Sequence, residues 1–187
     1  MSFDLNSAET GGGTSEPMPD GTVVRAVMNI RPGGEGDGGW MKLSGAGNPM
    51  LDVEWTVVSG QHAKRKIWDY MHFTEKSLPI SMRNMRAIVE ANYGLLPSDM
   101  SDAAVAKRRC GFAELQGMEA CLMLSIEKDA KGQYPDKNRP KAFLTPGESK
   151  YIARDGAAPA PSVAQSNGTH THTSAASGGA PKPSWAA

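Results

Sequence analysis

The sequence predicts a mainly β fold, a small antiparallel barrel with a helical insertion and a disordered tail at each end. Three observations carry that expectation. Apolar residues recur at every second position through most of residues 21–152, the period turns helical after Leu78, and both ends of the 187-residue chain lose apolar patterning altogether.

The first strand is set by Val24, Ala26, Met28 and Ile30, which alternate with Val23, Arg25, Val27 and Asn29 as one buried and one open face require. A glycine-rich stretch from Pro32 to Gly39 breaks it. Trp40 to Leu43 reads as a short second strand, and Leu51, Val53, Trp55 and Val57 place apolar side chains on one face of a third, with Trp55 in the core. Ser59, Gly60 and Gln61 turn the chain into a fourth, expected over Lys64 to Phe73.

From Leu78 the pattern changes. Pro79 suits a first helical turn, Met82, Met85, Ile88 and Val89 recur at helical spacing, and Gly94 supplies a left-handed stop. A shorter helix is expected from about Ser101, ending in Lys107, Arg108 and Arg109, where positive charge complements the carbonyl end of the dipole. After Gly117, Met118, Ala120, Leu122, Leu124 and Ile126 restore the period of two, Asp129 to Gly132 turns, and a last strand runs from Asn138 to Leu144. Four strands, a helical insertion and a closing hairpin describe an OB-like barrel, with a β-sandwich under a helical cap as the alternative.

The ends differ from this domain in composition. Residues 1–20 hold Asp4, Glu9, Glu16 and Asp20 and no base, which reads as a flexible acidic arm. Residues 153–187 include 10 Ala, 5 Ser, 4 Gly, 4 Pro and 3 Thr, too little apolar surface to offset the entropy of ordering, so a disordered Ala/Ser/Pro/Gly-rich tail is expected. The charges of the whole chain cancel at 20 against 20, while residues 21–152 carry 18 Lys and Arg against 15 Asp and Glu. A mildly basic domain excludes a histone-like polycation and names no partner alone. No apolar run approaches the roughly 20 residues of a membrane span and the first residues lack a signal-peptide pattern, so a cytoplasmic protein is expected. Cys110 and Cys121 stand apart from any zinc-ligand spacing and read as free thiols.

No nucleophile motif, phosphate loop or metal-site pattern occurs, so neither an enzyme, a cofactor nor a metal is expected. The fourth strand is more informative. Alternation sends Lys64, Lys66, Trp68, Tyr70 and His72 to one face and Ile67, Met71 and Phe73 to the other, and the closing strand repeats the theme with Lys137, Arg139, Lys141 and Phe143, after Tyr134. Cations that track phosphates beside rings that stack on unpaired bases suit single-stranded nucleic acid. Arg25 joins this set of expected nucleic-acid contacts. Trp185, alone in the tail, reads as a docking residue for a protein partner.

The order of these segments resembles a known family. Lys64-Arg65-Lys66-Ile67-Trp68-Asp69, Ala91-Asn92-Tyr93-Gly94, Leu115-Gln116-Gly117 and Gln133-Tyr134-Pro135-Asp136-Lys137-Asn138-Arg139-Pro140-Lys141 are similar to segments of small bacteriophage proteins encoded in replication and recombination cassettes, long classed as of unknown function and thought to bind single-stranded DNA. The resemblance covers residues 21–143. It implies a protein that coats single strands in the cytoplasm of an infected bacterium, with replication or recombination proteins as partners through its tail. Bacterial single-strand binders usually finish with an acidic tip, whereas this tail ends Pro181-Lys182-Pro183-Ser184-Trp185-Ala186-Ala187, so docking by an acidic tip does not carry over. The alternative function is a phage structural or assembly protein whose rings form subunit contacts, and a homo-oligomer is compatible with either.

Overall fold

The computed structural model describes residues 16–154, in which six strands form one antiparallel sheet, with three α-helices between the fourth and fifth strands, the first of which packs on the sheet. The nine-residue β1 (Val23–Arg31) holds the centre of the sheet, with β3 (Pro49–Val57) on one side and β5 (Glu119–Glu127) on the other. β3 also pairs with β4 (Lys66–His72) and with the two-residue β2 (Lys42–Leu43), and β5 pairs with β6 (Lys137–Leu144). At the ends of this path β4 and β6 approach one another without a hydrogen-bonded ladder, so the sheet is not closed.

The alternation read from the sequence sorts the side chains as expected. Val24, Ala26, Met28 and Ile30 of β1 face Leu51, Val53, Trp55 and Val57 of β3, Ile67 and Met71 of β4, and Ala120, Leu122 and Leu124 of β5 in one buried cluster. Helix α1 (Leu78–Tyr93) begins with Pro79 in its first turn and stops where Gly94 takes φ 68°, its N–H donating to Glu90 O. It packs against β4, β5 and β6, adding Ile88 and Val89 to the core. α2 (Asp102–Lys107) is capped by the Ser101 hydroxyl, which accepts from Ala104 N–H. The sequence reading missed α3 (Phe112–Leu115), a single turn whose Leu115 is buried. In the loop after β1, a Cβ on Gly33 would lie 2.7 Å from Lys42 Cα and from Met41 O, so glycine is required for close backbone approach there, while Gly36 is required for its φ of 71°.

Two expected boundaries move. The acidic arm does not extend to Asp20, because Met18 is 1% exposed in the core and its backbone is held on both sides by the Asn138 amide, which accepts from Met18 N–H at 2.7 Å and donates to Met18 O at 2.8 Å. Past Ile152, Arg154 Nε still donates to Glu119 Oε1 at 3.0 Å. Residues 1–15 and 155–187 lie outside the described residues, and with them Trp185. No helix among the described residues is long and apolar enough to cross a membrane.

Candidate nucleic-acid interface

Residues 66–72 read Lys-Ile-Trp-Asp-Tyr-Met-His, and the pairing of β4 with β3 fixes where each points. Ile67, Asp69 and Met71 sit opposite Trp55, Val53 and Leu51 on the core face, whereas Lys66, Trp68, Tyr70 and His72 sit opposite Thr56, Glu54, Asp52 and Met50 on the open face. Trp68 is 47% exposed and Tyr70 37%, the expected orientation for rings available to a ligand. Neither ring packs beneath the helices.

β6 brings the second basic segment to the same place. Its Arg139 guanidinium lies 5.6 Å from the centre of the Tyr70 ring, 2.6 Å from Glu127 and 3.9 Å from Asp69. Between the two edge strands runs a cleft of about 240 Å³, lined by Arg65, Lys66, Trp68 and Tyr70 on one wall and Lys137 and Arg139 on the other, with Pro17 at its margin. The basic and aromatic β4 and the basic start of β6, about 70 residues apart in sequence, therefore form one concave surface.

The cations of this surface are tempered by carboxylates. Lys66 Nζ is 2.8 Å from Glu54, Lys137 and Arg139 share Glu127, and on the neighbouring strands Arg31 and Lys42 clamp Asp52 from either side. Burial would raise the Asp52 carboxyl, but hydrogen bonds from Arg31 and Lys42 hold it below the usual range. The exposed pairs that Lys137 and Arg139 make with Glu127 are worth little, so a phosphate can take over those cations at small cost, whereas buried Asp52 keeps Arg31 and Lys42. Arg31 and Lys42 carry no signal of this in the sequence. Alternation in the first strand puts Arg31 on the open face, but only pairing with β3 places it near Tyr70.

Five expected contacts fall elsewhere. Arg25 is 2% exposed: its Nη2 donates to Glu119 at 3.1 Å and its Nη1 to Ala91 O at 3.3 Å, because the end of α1 covers that part of the sheet. It is a structural cation and not a nucleic-acid contact. Phe143 also leaves the set. The β5–β6 ladder shifts register between Met123 and Leu124, so that Lys141 bulges out, unpaired in the ladder. The bulge turns Phe143 to the core face, where its ring meets Trp55 at 5.7 Å. Lys141 stays exposed beyond the cleft. Lys64 is not on the strand: with φ 70° it belongs to the preceding turn. Tyr134 is 73% exposed in the loop before β6 and does not line the cleft.

Asp69, on the core face at the seam between the edge strands, gives the site a pH signature. Burial pushes its carboxyl up to about 6, against the opposing effects of Tyr70 N–H at 2.9 Å and of Arg139. Because the folded value lies above the ordinary one of 3.8, the folded state holds this proton more tightly than the unfolded chain. The stability it contributes is full below pH 4 and is lost as pH rises through about 6. Replacing Asp69 by Asn should remove that slope. Urea midpoints at intervals from pH 4 to 7 will show it as a wild-type-minus-variant difference that changes with pH, and a constant difference would exclude the titration of Asp69 in this range.

Cys110 is half-buried and Cys121 buried, both free, and burial raises both thiols, which disfavours the reactive thiolate. No group of three or more His, Cys, Asp or Glu suited to a metal ion occurs among the described residues. No protein-family model matches the chain, and no curated protein is significantly similar to it.

Proposed function

We propose that this is a non-catalytic single-stranded DNA-binding protein, in which the strand crosses the cleft between β4 and β6 and its bases stack on Trp68 and Tyr70. The observation that carries the reading is the cleft itself, which joins the basic and aromatic β4 to the basic start of β6, distant in sequence, on one surface. Stacking uses the face that every base presents, so binding has little sequence preference, and a duplex, whose bases are already stacked, cannot use the rings.

The connectivity supports an OB-like architecture as the scaffold. Taken around the sheet, the strands run β4-β3-β1-β5-β6, β6 returns to face β4, and α1 lies between β4 and β5 in the chain. In OB folds the ligand lies across the barrel, held by strands and the loops that frame them. The resemblance to phage replication and recombination proteins supports an activity in the cytoplasm of an infected bacterium, with the segment around Trp185 as the contact for a protein partner.

Fluorescence anisotropy with a labelled oligothymidine and with a matched duplex, at low and moderate salt, tests the reading. Affinity for the single strand should exceed that for the duplex and fall steeply with salt. Lys66→Ala combined with Lys137→Ala should reduce the slope of log affinity against log salt by about 0.7 for each phosphate that is no longer neutralised. Equal affinity for the duplex would overturn the proposal. Salt-insensitive self-association without strand binding would favour the assembly-protein alternative.

A further inference from the structure

A second and larger cavity takes no part in the cleft. It has a volume of about 930 Å³, opens between α1, the α2–α3 segment and the glycine-rich loop after β1, and is walled chiefly by Trp40, Phe73, Met82, Met85, Phe112 and Leu115. Its size and apolar walls are those of sites that enclose a ligand or several side chains. Met82 faces it at 55% exposure although it belongs to the apolar stripe of α1.

The rim narrows the chemistry of the occupant. Arg86 and Arg108 are engaged by Glu90, and Glu114 accepts from Gly111 N–H, whereas Arg83 and, across the cavity lining, Asp37 have no hydrogen-bond or ion-pair partner among the described residues. Three guanidiniums against two carboxylates leave the lining net positive. Apolar side chains flanked by carboxylates, with no base among them, complement such a site.

We propose that the cavity is filled by the N-terminal segment of the same chain, with Phe3 and Leu5 as the apolar anchors and Asp4 and Glu9 as counter-charges to Arg83. Residues 1–15 contain these two anchors and these two acids and no Lys or Arg. Their tether is in the right place. Glu16 O accepts from Arg65 at 2.6 Å, so the segment leaves the domain at the start of β4, and Phe73, in the cavity wall, follows the end of that strand. The eight residues from Arg65 to Phe73 span about 26 Å at strand spacing. The thirteen from Phe3 to Glu16 reach up to about 43 Å when extended, which leaves slack for the turn that Gly11, Gly12 and Gly13 permit. Residues 155–187 suit the site less well, since their one large apolar ring, Trp185, is accompanied by Lys182 and the only acid is Asp155.

The test uses the full chain with 13C-methyl-labelled methionine, whose Met82 and Met85 methyl groups report on the cavity directly. Against the double variant Phe3→Ser, Leu5→Ser, both methyl resonances of the unaltered chain should be shifted by more than a linewidth. A synthetic peptide of residues 1–15 added to the double variant should restore the original positions, and Arg83→Glu in that background should weaken the peptide at least tenfold. Coincident resonances in the two chains would overturn the proposal. Shifts that grow with protein concentration would place the segment in the cavity of a second copy and overturn the intramolecular assignment.

Discussion

Replacing Glu90 by alanine is expected to cost about 3–5 kcal/mol of stability, the typical penalty for removing one partner of a buried ion pair. Glu90 is 2% exposed on the inner side of α1, yet it is charged, and two arginines make that tolerable. Its Oε1 accepts from Arg86 Nε at 2.8 Å and from Arg108 Nε at 2.9 Å. Arg108 is itself 12% exposed, and its remaining nitrogens donate to Leu96 O and Asp99 O. One carboxylate thus ties α1 to the C-terminal end of α2, and its loss would strand a largely buried guanidinium. The basic run Lys107-Arg108-Arg109, read from sequence as a complement to the helix dipole, has this clamp as the main role of its central member. A thermal scan should show a fall in Tm on the order of 10 °C, whereas affinity for a single strand should change little because none of Glu90, Arg86 and Arg108 lines the cleft. A midpoint within a degree or two of the wild type would mean that the pair contributes nothing net.

The second large effect is on binding. Trp68→Ala and Tyr70→Ala should each weaken single-strand affinity by about 1–3 kcal/mol, or roughly five- to 150-fold, as loss of a stacking platform does. Both rings are more than a third exposed, so the unfolding midpoint should stay within a few degrees. Trp55 supplies the contrast. It is fully buried against Phe143, and Trp55→Ala should cost about 3–5 kcal/mol in stability through the cavity it leaves. Addition of oligonucleotide should quench the fluorescence of Trp68, a signal that the Trp68→Phe variant isolates from Trp40, Trp55 and Trp185 by difference. Unaltered affinity in both alanine variants would remove stacking on β4 from the mechanism.

Elements whose causes are local could be read from the order of residues alone. Period-two patterning located the long strands, Pro79 and Gly94 bounded α1 at both ends, and Trp55 read as core because Leu51, Val53 and Val57 share its face. The same alternation put Trp68 and Tyr70 on the face away from Ile67 and Met71, and the structure agrees. Alternation tells which residues of a strand lie together, and it is silent about what covers each face. Long-range packing is what makes α1 bury Arg25, Asn138 hold Met18 against the core, and β4 and β6 bring their cations to one cleft. Each of these depends on contacts between residues dozens of positions apart, for which neighbouring residues carry no signal. Phe143 shows how small the deciding feature can be. One extra residue in β6 reverses the parity of everything after it, and a ring expected beside Lys137 and Arg139 packs instead on Trp55, because a strand's side chains change face whenever its register slips by one.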